Sequence, residues 1–449
     1  MCNNNGYCRK FDSGTMCPSF RATGEEQHLT RGRATTLRLA LSGQLGPEAF
    51  TSEAMFETMD LCVSCKGCRR ECPTGVDMAK MKIEFLHHYH HRHGHSMKYK
   101  VIAYLPRYAP WAARLPWLFN LRDAIPGLAR LSQALLGLSA KRSLPQWRGD
   151  TFLGAPHPHP RPATRGEGAS HDAFPLGLPG ERTNPNYLST KALGVRVRGQ
   201  PAREVVLLPD CFNNYFEPEN SHAALRVLEA AGYSVHSAQA SDGDRSRPLC
   251  CGRTFLSAGM VEEAKCEARR VLAALAPFVS RGVAVIGLEP ACLYTLRDEF
   301  KSLLPGAESD ALAARALMFE EFLAAEAAAG RLELPLKALA NKRALLHGHC
   351  HQKAFGALPA MERVLALVPG LEVDKVESSC CGMAGSFGYE ATHYDISMKM
   401  AEEALLPEVR KADPRTLIVA DGTSCRRQIH DGAQREAIHV ARLLELALL

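Results

Sequence analysis

The spacing of apolar residues changes along the chain and separates helical stretches from strand-like ones. Apolar positions recur at helical spacing over residues 35–42 and 48–61, which predicts two helices near the N-terminus. Residues 101–145 are also apolar, but prolines interrupt them repeatedly, so we expect a connector of short helical pieces there. No apolar run approaches the roughly 18 residues that a membrane-spanning helix needs. Residues 146–202 are rich in proline, with scattered Gly, His and Arg, a composition typical of an extended or disordered linker.

Beyond residue 203, short buried apolar runs alternate with helical patterns, which predicts an α/β region with parallel strands. The predicted strands cover residues 205–208, 233–236, 283–286, 344–346, 371–373 and 416–420, of which 416–420 is expected to be the last. The predicted helices of this region cover residues 222–231, 261–278, 360–367 and 398–406.

Three cysteine landmarks occur twice in this α/β region, in the same order. The pairs Cys211 and Cys350, Cys250 and Cys380, and Cys292 and Cys425 are separated by 139, 130 and 133 residues. Nearly constant offsets indicate an internal duplication. We therefore expect two α/β repeats, over residues 203–335 and 336–449.

Composition excludes some classes of protein. The chain is 46% hydrophobic, which suits ordinary globular cores, and its formal net charge of +6 is mild for 449 residues. Zinc-finger pairs and dense Lys/Arg stripes are absent from the sequence, so we expect no nucleic-acid partner. Sixteen cysteines without a signal peptide favour a reducing, cytoplasmic compartment with metal-bound thiolates over a disulfide framework.

The most informative motif is a C-x2-C-x2-C-x3-C-P run formed by Cys62, Cys65, Cys68, Cys72 and Pro73. This is the bacterial ferredoxin spacing, in which three thiolates meet one 4Fe–4S cubane and the fourth often ligates another cluster. Structural zinc is the main alternative. Because the cysteines lie between short helical stretches, we expect residues 1–100 to form an α-helical ferredoxin-like 4Fe–4S domain that transfers single electrons.

A second, incomplete run precedes the first motif. In Cys2-x2-Asn5-x2-Cys8 the second ligand position holds Asn5, and Cys17, followed by proline, stands in the fourth position after a longer gap. The two runs therefore suggest a two-cluster arrangement whose partners cross over.

In the crossover, Cys17 completes a cubane with the first three cysteines of the later run. Cys72 then joins Cys2 and Cys8 in a three-cysteine site, which would hold a three-iron cluster, a cubane with a non-cysteine ligand, or nothing. The alternative is one cubane on the later run alone, with the early cysteines idle. We favour the crossover.

Two vicinal pairs followed by glycine form the second strong signal, and they are Cys250-Cys251-Gly252 and Cys380-Cys381-Gly382. Glycine at this position lets the backbone approach closely. Four further cysteines follow predicted strands, and they are Cys211, Cys292, Cys350 and Cys425. They are expected at the carboxyl edge of each sheet, where α/β folds bind ligands. These eight cysteines would hold a cluster, zinc or no metal.

Some other residues carry weaker signals. Cys266 lies inside a predicted helix and is expected to be a small core residue. His349 and His351 flank Cys350 and are predicted either as ligands or proton relays, or as strand-end histidines bonded to backbone. The histidine-rich segment 87–95 is interpreted as a solvated helix end, and the glycine-rich segment 382–388 as close packing over the cysteine site.

Basic and aromatic residues suggest two surface roles. Trp111, Trp117 and Phe119 lie near regularly spaced arginines, so residues 101–145 would form either an interfacial membrane anchor or a packing layer between domains; we favour the packing layer. Any membrane contact would be peripheral, at the inner face of the plasma membrane. Basic residues beside cysteines would either offset cluster charge or form a solvated surface, and they are Arg9, Lys10, Lys66, Arg69 and Arg70.

The cysteine motifs occur in longer recognisable segments, which are 2–10, 16–20, 30–34, 62–68, 349–353 and 380–390. These segments resemble the C-terminal iron–sulfur half of bacterial FAD-linked oxidases, the D-2-hydroxyglutarate and D-lactate dehydrogenase-like proteins. The layout is more distantly similar to the iron–sulfur subunits of glycolate oxidase and anaerobic glycerol-3-phosphate dehydrogenase, and to the CCG-domain subunit of heterodisulfide reductase. The resemblance implies a multi-domain fold, an α-helical ferredoxin followed by duplicated α/β CCG domains.

The resemblance also implies a function. A flavin elsewhere would oxidise a 2-hydroxy acid by hydride removal, and this chain would pass the electrons to a quinone or carrier protein. The alternatives are a heterodisulfide reductase-like thiol–disulfide oxidoreductase and a zinc-stapled scaffold or redox sensor. The motifs identify no catalytic residue.

The chain departs from its relatives in two ways. It begins at its first cluster cysteine and shows no flavin-binding segment, so FAD is expected on a missing domain or a flavoprotein partner. CCG domains of the heterodisulfide reductase type end in C-x2-C, whereas Thr295 and Gln428 stand at the last position here. Double noncubane clusters and disulfide reduction are therefore less expected.

Overall fold

A computed structural model describes residues 2–12, 14–154, 203–244 and 247–449. From residue 155 onward, the predicted proline-rich linker 146–202 lies outside these residues. The described chain contains an N-terminal helical region, a connector of short helices and two parallel-sheet α/β regions.

The N-terminal region is helical, as its apolar spacing predicts. Its helices are α1 (Pro18–Thr23), α2 (Thr30–Leu41), α3 (Glu53–Asp60), α4 (Gly67–Glu71) and α5 (Met78–His93). Side chains fix two of the starts, since Ser52 accepts the Met55 backbone N–H and Asp77 accepts that of Lys80. The helices predicted over 35–42 and 48–61 are confirmed, although α2 begins five residues earlier and the second is preceded by a 3-10 turn at Ala49–Thr51.

The connector consists of short helices, as its prolines predict. They are α6 (Met97–Ala103), α7 (Leu105–Ala112), α8 (Pro116–Phe119), α9 (Leu121–Ala124) and α10 (Leu128–Leu136). Pro106 and Pro116 occupy helix starts, where a missing N–H costs least. Among the described residues, every helix is too short or too polar to cross a bilayer.

The first α/β region contains four strands with helices between them. Its elements in chain order are β1 (Arg203–Leu207), α11 (Cys211–Tyr215), α12 (Pro218–Ala230), β2 (Tyr233–His236), α13 (Arg253–Ser257), α14 (Val261–Val279), β3 (Ala284–Gly287), α15 (Pro290–Arg297), α16 (Glu299–Leu303), α17 (Ala307–Arg315), β4 (Ala316–Met318) and α18 (Phe319–Ala328).

The second α/β region repeats the strand–helix alternation with fewer helices. Its elements are β5 (Arg343–Leu346), α19 (Cys350–Phe355), α20 (Leu358–Leu365), β6 (Glu372–Lys375), α21 (Tyr394–Glu402), α22 (Leu405–Lys411), β7 (Leu417–Val419), α23 (Thr423–Ala433), β8 (Ala437–Ile438) and α24 (Val440–Ala447). The expectation that 416–420 is the last strand is wrong, because β8 follows it.

Both sheets are parallel and share one topology. Their strand orders are β2-β1-β3-β4 and β6-β5-β7-β8. Matching pairs have matching registers, since Val206 lies beside Val285 in one sheet and Leu345 beside Ile418 in the other. In both, the first and third strands in chain order lie at the centre, so their carboxyl ends meet at one edge.

One apolar core joins the two sheets. Buried residues of β1 and β3 pack in the same cluster as residues of β5 and β7, with α12, α18, α20 and α24 between them. Hydrogen bonds also join the two α/β regions: Glu289 accepts the backbone N–H of Thr423 at 2.9 Å, and His439 Nε2 donates to the Leu288 carbonyl at 3.1 Å. The loops at the carboxyl edges of both sheets are therefore held in fixed positions.

Candidate metal centres

Four cysteines surround one cavity in the helical region, and they are Cys17, Cys62, Cys65 and Cys68. Cys17 immediately precedes α1 and Cys68 lies in the first turn of α4. The loop before α4 turns sharply, because Ser64 and Lys66 adopt left-handed φ angles of 51° and 59°. Cys72 does not line this cavity, so its four cysteines are those that the crossover hypothesis assigns to the first cubane.

The crowded thiols resist ionisation without a metal. Burial raises the pKa of Cys17 to about 11, and burial with the neighbouring Cys17 thiol raises that of Cys68 further. Burial, followed by the nearby Cys350 and Cys68 thiols, raises the pKa of Cys65 well above its usual value. Metal binding replaces these thiol protons with positive charge, so the donor set suits a thiolate-bound cluster.

Backbone N–H donors and two cationic residues, Arg33 and Lys66, already line the cavity. The Thr30 backbone N–H points to Cys17 Sγ at 3.3 Å, and the Met78 N–H to Cys68 Sγ at 3.4 Å. Arg33 also lines the cavity and is 1% exposed. Its guanidinium donates to the Thr58 and His28 carbonyls and to the Ser19 hydroxyl, and it has no ion pair within the described ranges. Its charge is thus free to offset that of an anionic cluster.

The remaining cysteines of the helical region lie outside the cavity. Cys2 and Cys8 lie close enough to interact electrostatically, and burial raises the pKa of Cys8. Burial would raise the pKa of Cys72, but the Thr74 hydroxyl and nearby backbone N–H groups lower it overall. All three pack in the apolar cluster around α1, α2 and α5. Asn5 is exposed and accepts the Tyr7 N–H at 2.9 Å. No described contact joins Cys72 directly to Cys2 or Cys8.

The loop that carries Cys65 rests against the second α/β region. Cys65 packs in one cluster with Cys350 and the other cysteines of that region. His351 Nε2 donates to the Ser64 carbonyl at 3.0 Å, and Ser379 Oγ donates to the Thr15 carbonyl at 2.7 Å. The four-cysteine cavity therefore adjoins the cysteine site of the second α/β region.

That second cysteine site consists of Cys350, Cys380, Cys381 and Cys425, all buried. The thiols form a chain in which Cys380 contacts Cys350 and Cys381, and Cys381 contacts Cys425. Contacts from Cys380 and then Cys425 lower the pKa of Cys381 well below its usual value, although burial opposes them. His347 joins the group, since one of its ring nitrogens and the sulfurs of Cys381 and Cys425 lie within 4.8 Å of one another.

The first cysteine site has the same four-thiol chain, formed by Cys211, Cys250, Cys251 and Cys292. Its polar neighbours differ from those of the second site, because Asp210 and Glu289 line its cavity. Burial, and then the nearby Asp210 carboxyl, raises the pKa of Glu289 to about 8. The surroundings of Glu289 therefore favour its protonated form beside the thiols.

The four single cysteines lie in the first helical turn after a central strand, which agrees with their predicted place at the carboxyl edges. Cys211 and Cys350 are the first residues of α11 and α19, and Cys292 and Cys425 the third residues of α15 and α23. The glycines after the vicinal pairs permit close packing, as predicted. A Cβ at Gly382, where φ is +80°, would lie 2.2 Å from the Ser397 carbonyl oxygen.

Two sequence predictions about other residues need correction. Cys266 is exposed on α14 and is not a core residue, because it lies on the outer side of an amphipathic helix. The histidine-rich helix end is only partly solvated: His91 is exposed, whereas His90 is 4% exposed and stacks on His95. The basic residues beside cysteines mostly pair with carboxylates, as Lys66 does with Asp298.

Sequence reasoning missed three functional candidates, which are Arg33, Glu289 and His347. Arg33 lies 25 or more residues from the later cysteine run, so spacing gives no signal for it. His347 offered a signal, because it precedes His349 and His351 at alternate positions directly after a predicted strand.

Comparisons with known proteins match two segments of the chain that contain cysteine motifs. The family model described as 4Fe-4S dicluster domain matches residues 1–76, and the one described as Cysteine-rich domain matches residues 344–430. The latter match covers the second α/β region and not the first.

Relatives of known name cover nearly the whole chain. D-2-hydroxyglutarate dehydrogenase of Escherichia coli (strain K12) is 25% identical over 95% of this chain and 41% of its own length. Glycolate oxidase iron-sulfur subunit of the same strain is 23% identical over 100% of this chain and 93% of its own length. A subunit of the anaerobic glycerol-3-phosphate dehydrogenase of that strain is 27% identical over 55% of this chain and 59% of its own length.

The chain thus spans about two fifths of the length of the D-2-hydroxyglutarate dehydrogenases that it matches. It carries a 4Fe–4S dicluster domain and a cysteine-rich domain, and its homologues are dehydrogenases and oxidase iron–sulfur subunits of the kind that its motifs indicated.

Proposed function

We propose that this chain is the iron–sulfur electron-transfer component of an FAD-linked 2-hydroxy-acid dehydrogenase. It would receive electrons from a flavin on another domain or a flavoprotein partner and pass them, through its own centres, to a quinone or carrier protein. The observation that carries the proposal is the packing of Cys65, which lines the four-cysteine cavity, against Cys350 of the second cysteine site.

The four-cysteine cavity would hold the first centre. Cys17, Cys62, Cys65 and Cys68 supply four thiolates, which is the ligand number of a 4Fe–4S cubane. When bound, such a cluster accepts and releases one electron at a time. Backbone N–H groups near Cys17 and Cys68 and the Arg33 charge stabilise negative charge at this place. The chain therefore supplies both the ligands and the electrostatic compensation.

A second centre would use Cys2, Cys8 and Cys72, as the crossover hypothesis requires. These residues share one packed cluster, and the Cys72 pKa is lowered, which favours a thiolate ligand. Three cysteines would hold a 3Fe–4S cluster, or a 4Fe–4S cluster with one non-cysteine ligand.

The route beyond the first centre leads to the second cysteine site. The Ser64 carbonyl between Cys62 and Cys65 accepts a hydrogen bond from His351, which directly follows Cys350. Lys353, whose pKa is lowered by burial, lies near Cys350, Cys380 and Cys425 and would balance part of the negative charge of metal-bound thiolates there. This fixed junction gives electrons a short path between the two regions.

The donor would be a flavin reduced by a small hydroxy acid. The homologues include D-2-hydroxyglutarate dehydrogenase and a glycolate oxidase subunit, and 2-hydroxyglutarate and glycolate are both 2-hydroxy acids. The substrate pocket would lie with the flavin, outside this chain.

The acceptor side would lie at a membrane surface. Eight of the large apolar side chains exposed in the described chain fall on α7 to α10 and their turns, and they are Trp111, Leu115, Trp117, Leu118, Phe119, Ile125, Leu131 and Leu135. We call this set the exposed apolar face. On its inner side, Ala109 and Ala113 pack in one cluster with Cys211 and Cys250. A lipid-dissolved quinone would thus meet the first cysteine site beneath the face.

Paired substitutions test the crossover on which the first centre depends. Anaerobically purified Cys17→Ser is expected to lose the cubane, whereas Cys72→Ser is expected to keep it and to lose only the second centre. Iron and sulfide content, with paramagnetic resonance of the reduced protein, would measure both. An intact cubane in Cys17→Ser, together with its loss in Cys72→Ser, would refute the crossover and assign the cubane to the four cysteines of the later run.

A thiol–disulfide oxidoreductase is the second candidate function. The continuous thiol chains favour it, because each contains one thiol with a lowered pKa, Cys250 or Cys381, which as a thiolate would attack a disulfide substrate while a neighbouring thiol completes the exchange. Reduction of disulfide substrates by the chain without a flavoprotein would support this candidate over the relay.

A further inference from the structure

The two cysteine sites hold the same thiols but different neighbouring residues. The 139-residue offset that aligns Cys211 with Cys350 also aligns Leu208 with His347 and Asp210 with His349. A histidine therefore stands in the second site where the first has leucine. Any chemistry that needs an imidazole beside the thiols is confined to the second site.

One of the two ring nitrogens of His347 has a hydrogen-bond partner, which fixes the orientation of the ring. It is 1% exposed, and its Nδ1 lies 3.1 Å from the hydroxyl of Ser378. Lys353 Nζ in turn donates to the carbonyl and the hydroxyl of Ser378. Hydrogen bonds of this kind fix the ring of a metal-binding histidine and leave its other nitrogen free.

The other ring nitrogen of His347 lacks a hydrogen-bond partner. Nε2 is buried and meets no described donor or acceptor in ordinary hydrogen-bond geometry; burial lowers the pKa of His347, and contact with the Cys381 thiol partly opposes this effect. Buried nitrogens left in this state destabilise a fold, so such atoms are usually paired. A ring nitrogen of His347 lies within 4.8 Å of the sulfurs of Cys381 and Cys425, and the three residues are buried together.

We propose that His347, Cys381 and Cys425 hold one divalent ion of the zinc type, and that the first cysteine site does not. Two thiolates and an imidazole match the ligands that zinc prefers, and three protein ligands leave a fourth position for water or an exogenous group. Binding would replace any proton on the two sulfurs and would give the ring nitrogen a partner. Zinc keeps one oxidation state, so this ion would stabilise the second cysteine site, and electrons that leave the first centre would pass it through the surrounding protein and would not reside on it.

Cobalt(II) is a suitable probe, because its absorption reports thiolate and imidazole ligands in a tetrahedral site. The full chain, with its iron–sulfur centres intact and without oxygen, is expected to take up one cobalt ion in a zinc-displaceable site. His347→Leu, which copies the first site, is expected to weaken cobalt binding at least about tenfold. The matched control is Cys251→Ser with Cys292→Ser in the first site, which is expected to bind cobalt like the unchanged chain.

An experiment without substitutions covers the case in which His347→Leu does not fold. X-ray absorption at the zinc edge of the unchanged chain is expected to show sulfur ligands together with imidazole nitrogen. Unchanged cobalt binding in His347→Leu, loss of binding in the first-site control, or absence of imidazole from the zinc spectrum would each overturn the proposal. Failure of the electron-transfer function would instead appear as missing iron, sulfide or paramagnetic signals, which this site does not control.

Discussion

At the scale of single residues, the strongest electrostatic feature beside the four-cysteine cavity is the Arg33 guanidinium. Reduction adds an electron to a centre that is already anionic, so a buried cation stabilises the reduced form. Arg33→Gln is therefore expected to lower the reduction potential of the cubane by about 50–100 mV, as a charge a few ångströms away would at moderate effective dielectric. A potentiometric titration followed by paramagnetic resonance would measure this shift.

Arg38 provides the control for Arg33, because it lies on the same helix, α2, but is exposed. Arg38→Gln is expected to leave the potential unchanged, since solvent screens its charge. Equal potentials in Arg33→Gln and the unchanged chain would show that the guanidinium serves only as a hydrogen-bond donor to Thr58, His28 and Ser19.

His90 should make the stability of the helical region depend on pH. Burial lowers the pKa of His90 to about 4, and its Nδ1 donates to the Gly94 carbonyl at 3.1 Å. Below about pH 6.5 the histidine is protonated in the unfolded chain but still neutral in the folded chain. The free energy of unfolding therefore falls as the pH drops from about 6.5 towards 4, by at most about 3 kcal/mol. His90→Gln is expected to flatten this part of the profile in denaturant unfolding at several pH values.

His88 lies on the same helix with half of its side chain exposed, so it serves as the matched control for His90. His88→Gln is expected to keep the acid sensitivity. The same slope in all three proteins would assign the pH dependence to other groups.

At this scale, the sequence indicated which cysteines lie together, but it did not indicate the other residues that surround them. Cysteine spacing within a short run reveals which sulfurs can meet, and the cavity indeed gathers three cysteines of one run with Cys17. Arg33 and His347 lie near the cysteines in the fold and not in the same sequence motif. Among the residues that the structure describes, Arg33 is notable because its buried charge has no ion pair, and His347 because one of its buried ring nitrogens makes no conventional hydrogen bond. A single sequence shows neither property. Cys266 was wrongly predicted to be a core residue. The apolar pattern of the helix around it does not show which of two neighbouring positions faces outward.

At the scale of elements, the contact between α4 and the junction of α15 and α16 depends on buried charges. Lys66 pairs with Asp298 and with Glu299 at 2.7 Å, and its side chain is fully buried. Arg69 and Lys80 also reach Asp298, at 2.5 and 2.9 Å. Burial raises the pKa of Asp298, but Lys66 and then Lys80 lower it to about 2 overall.

Asp298→Asn is expected to destabilise this contact by up to about 3 kcal/mol, because it removes the carboxylate that three cations share and leaves the buried Lys66 with Glu299 alone. Denaturant unfolding of the iron-loaded chain would measure the loss. Asp310→Asn, which removes an exposed partner of Lys301, is the matched control and should change stability by less than about 1 kcal/mol. Similar losses of unfolding free energy in both variants would show that the ion pairs of Asp298 contribute no more than an exposed pair.

Element prediction succeeded where patterns were long and failed where elements were short. The central strands and the long helix α14 were predicted almost to the residue, because burial on both faces produces a clear apolar run. The edge strands β4 and β8 were missed, since three and two residues carry no periodicity. The expected helix over 398–406 proved to be parts of α21 and α22.

At the scale of the whole molecule, positive charge is concentrated beside the exposed apolar face. Residues 97–148 contain nine Lys and Arg but one acidic residue, whereas the remaining residues contain 45 basic and 47 acidic ones, so the net charge of +6 originates in this segment. Lys100, Arg114 and Arg130 within it make no ion pair in the part of the chain that the structure describes. The packing-layer interpretation therefore explains only the inner side of the connector, where Ala103, Ala109 and Ala112 are buried.

An anionic bilayer complements both properties of the exposed apolar face. Trp111 and Trp117 are 67% and 66% exposed, and tryptophan concentrates at the boundary between headgroups and lipid tails. Short helices that lie flat can insert such side chains while lysine and arginine contact anionic headgroups. An acidic protein surface would match the charges but would not need two exposed tryptophans with six further apolar side chains.

We therefore expect the chain to sediment with vesicles that contain phosphatidylglycerol, and to do so less at high salt and with phosphatidylcholine alone. Trp111→Ser with Trp117→Ser should weaken binding at least about tenfold, because each ring would lose its apolar contact with lipid. Leu41→Ser with Leu45→Ser removes equally exposed apolar side chains from the helical region and should have no effect. Binding to neither vesicle, or equal binding of all variants, would refute the membrane contact; loss of a flavoprotein partner in the tryptophan variant alone would assign the face to that partner instead.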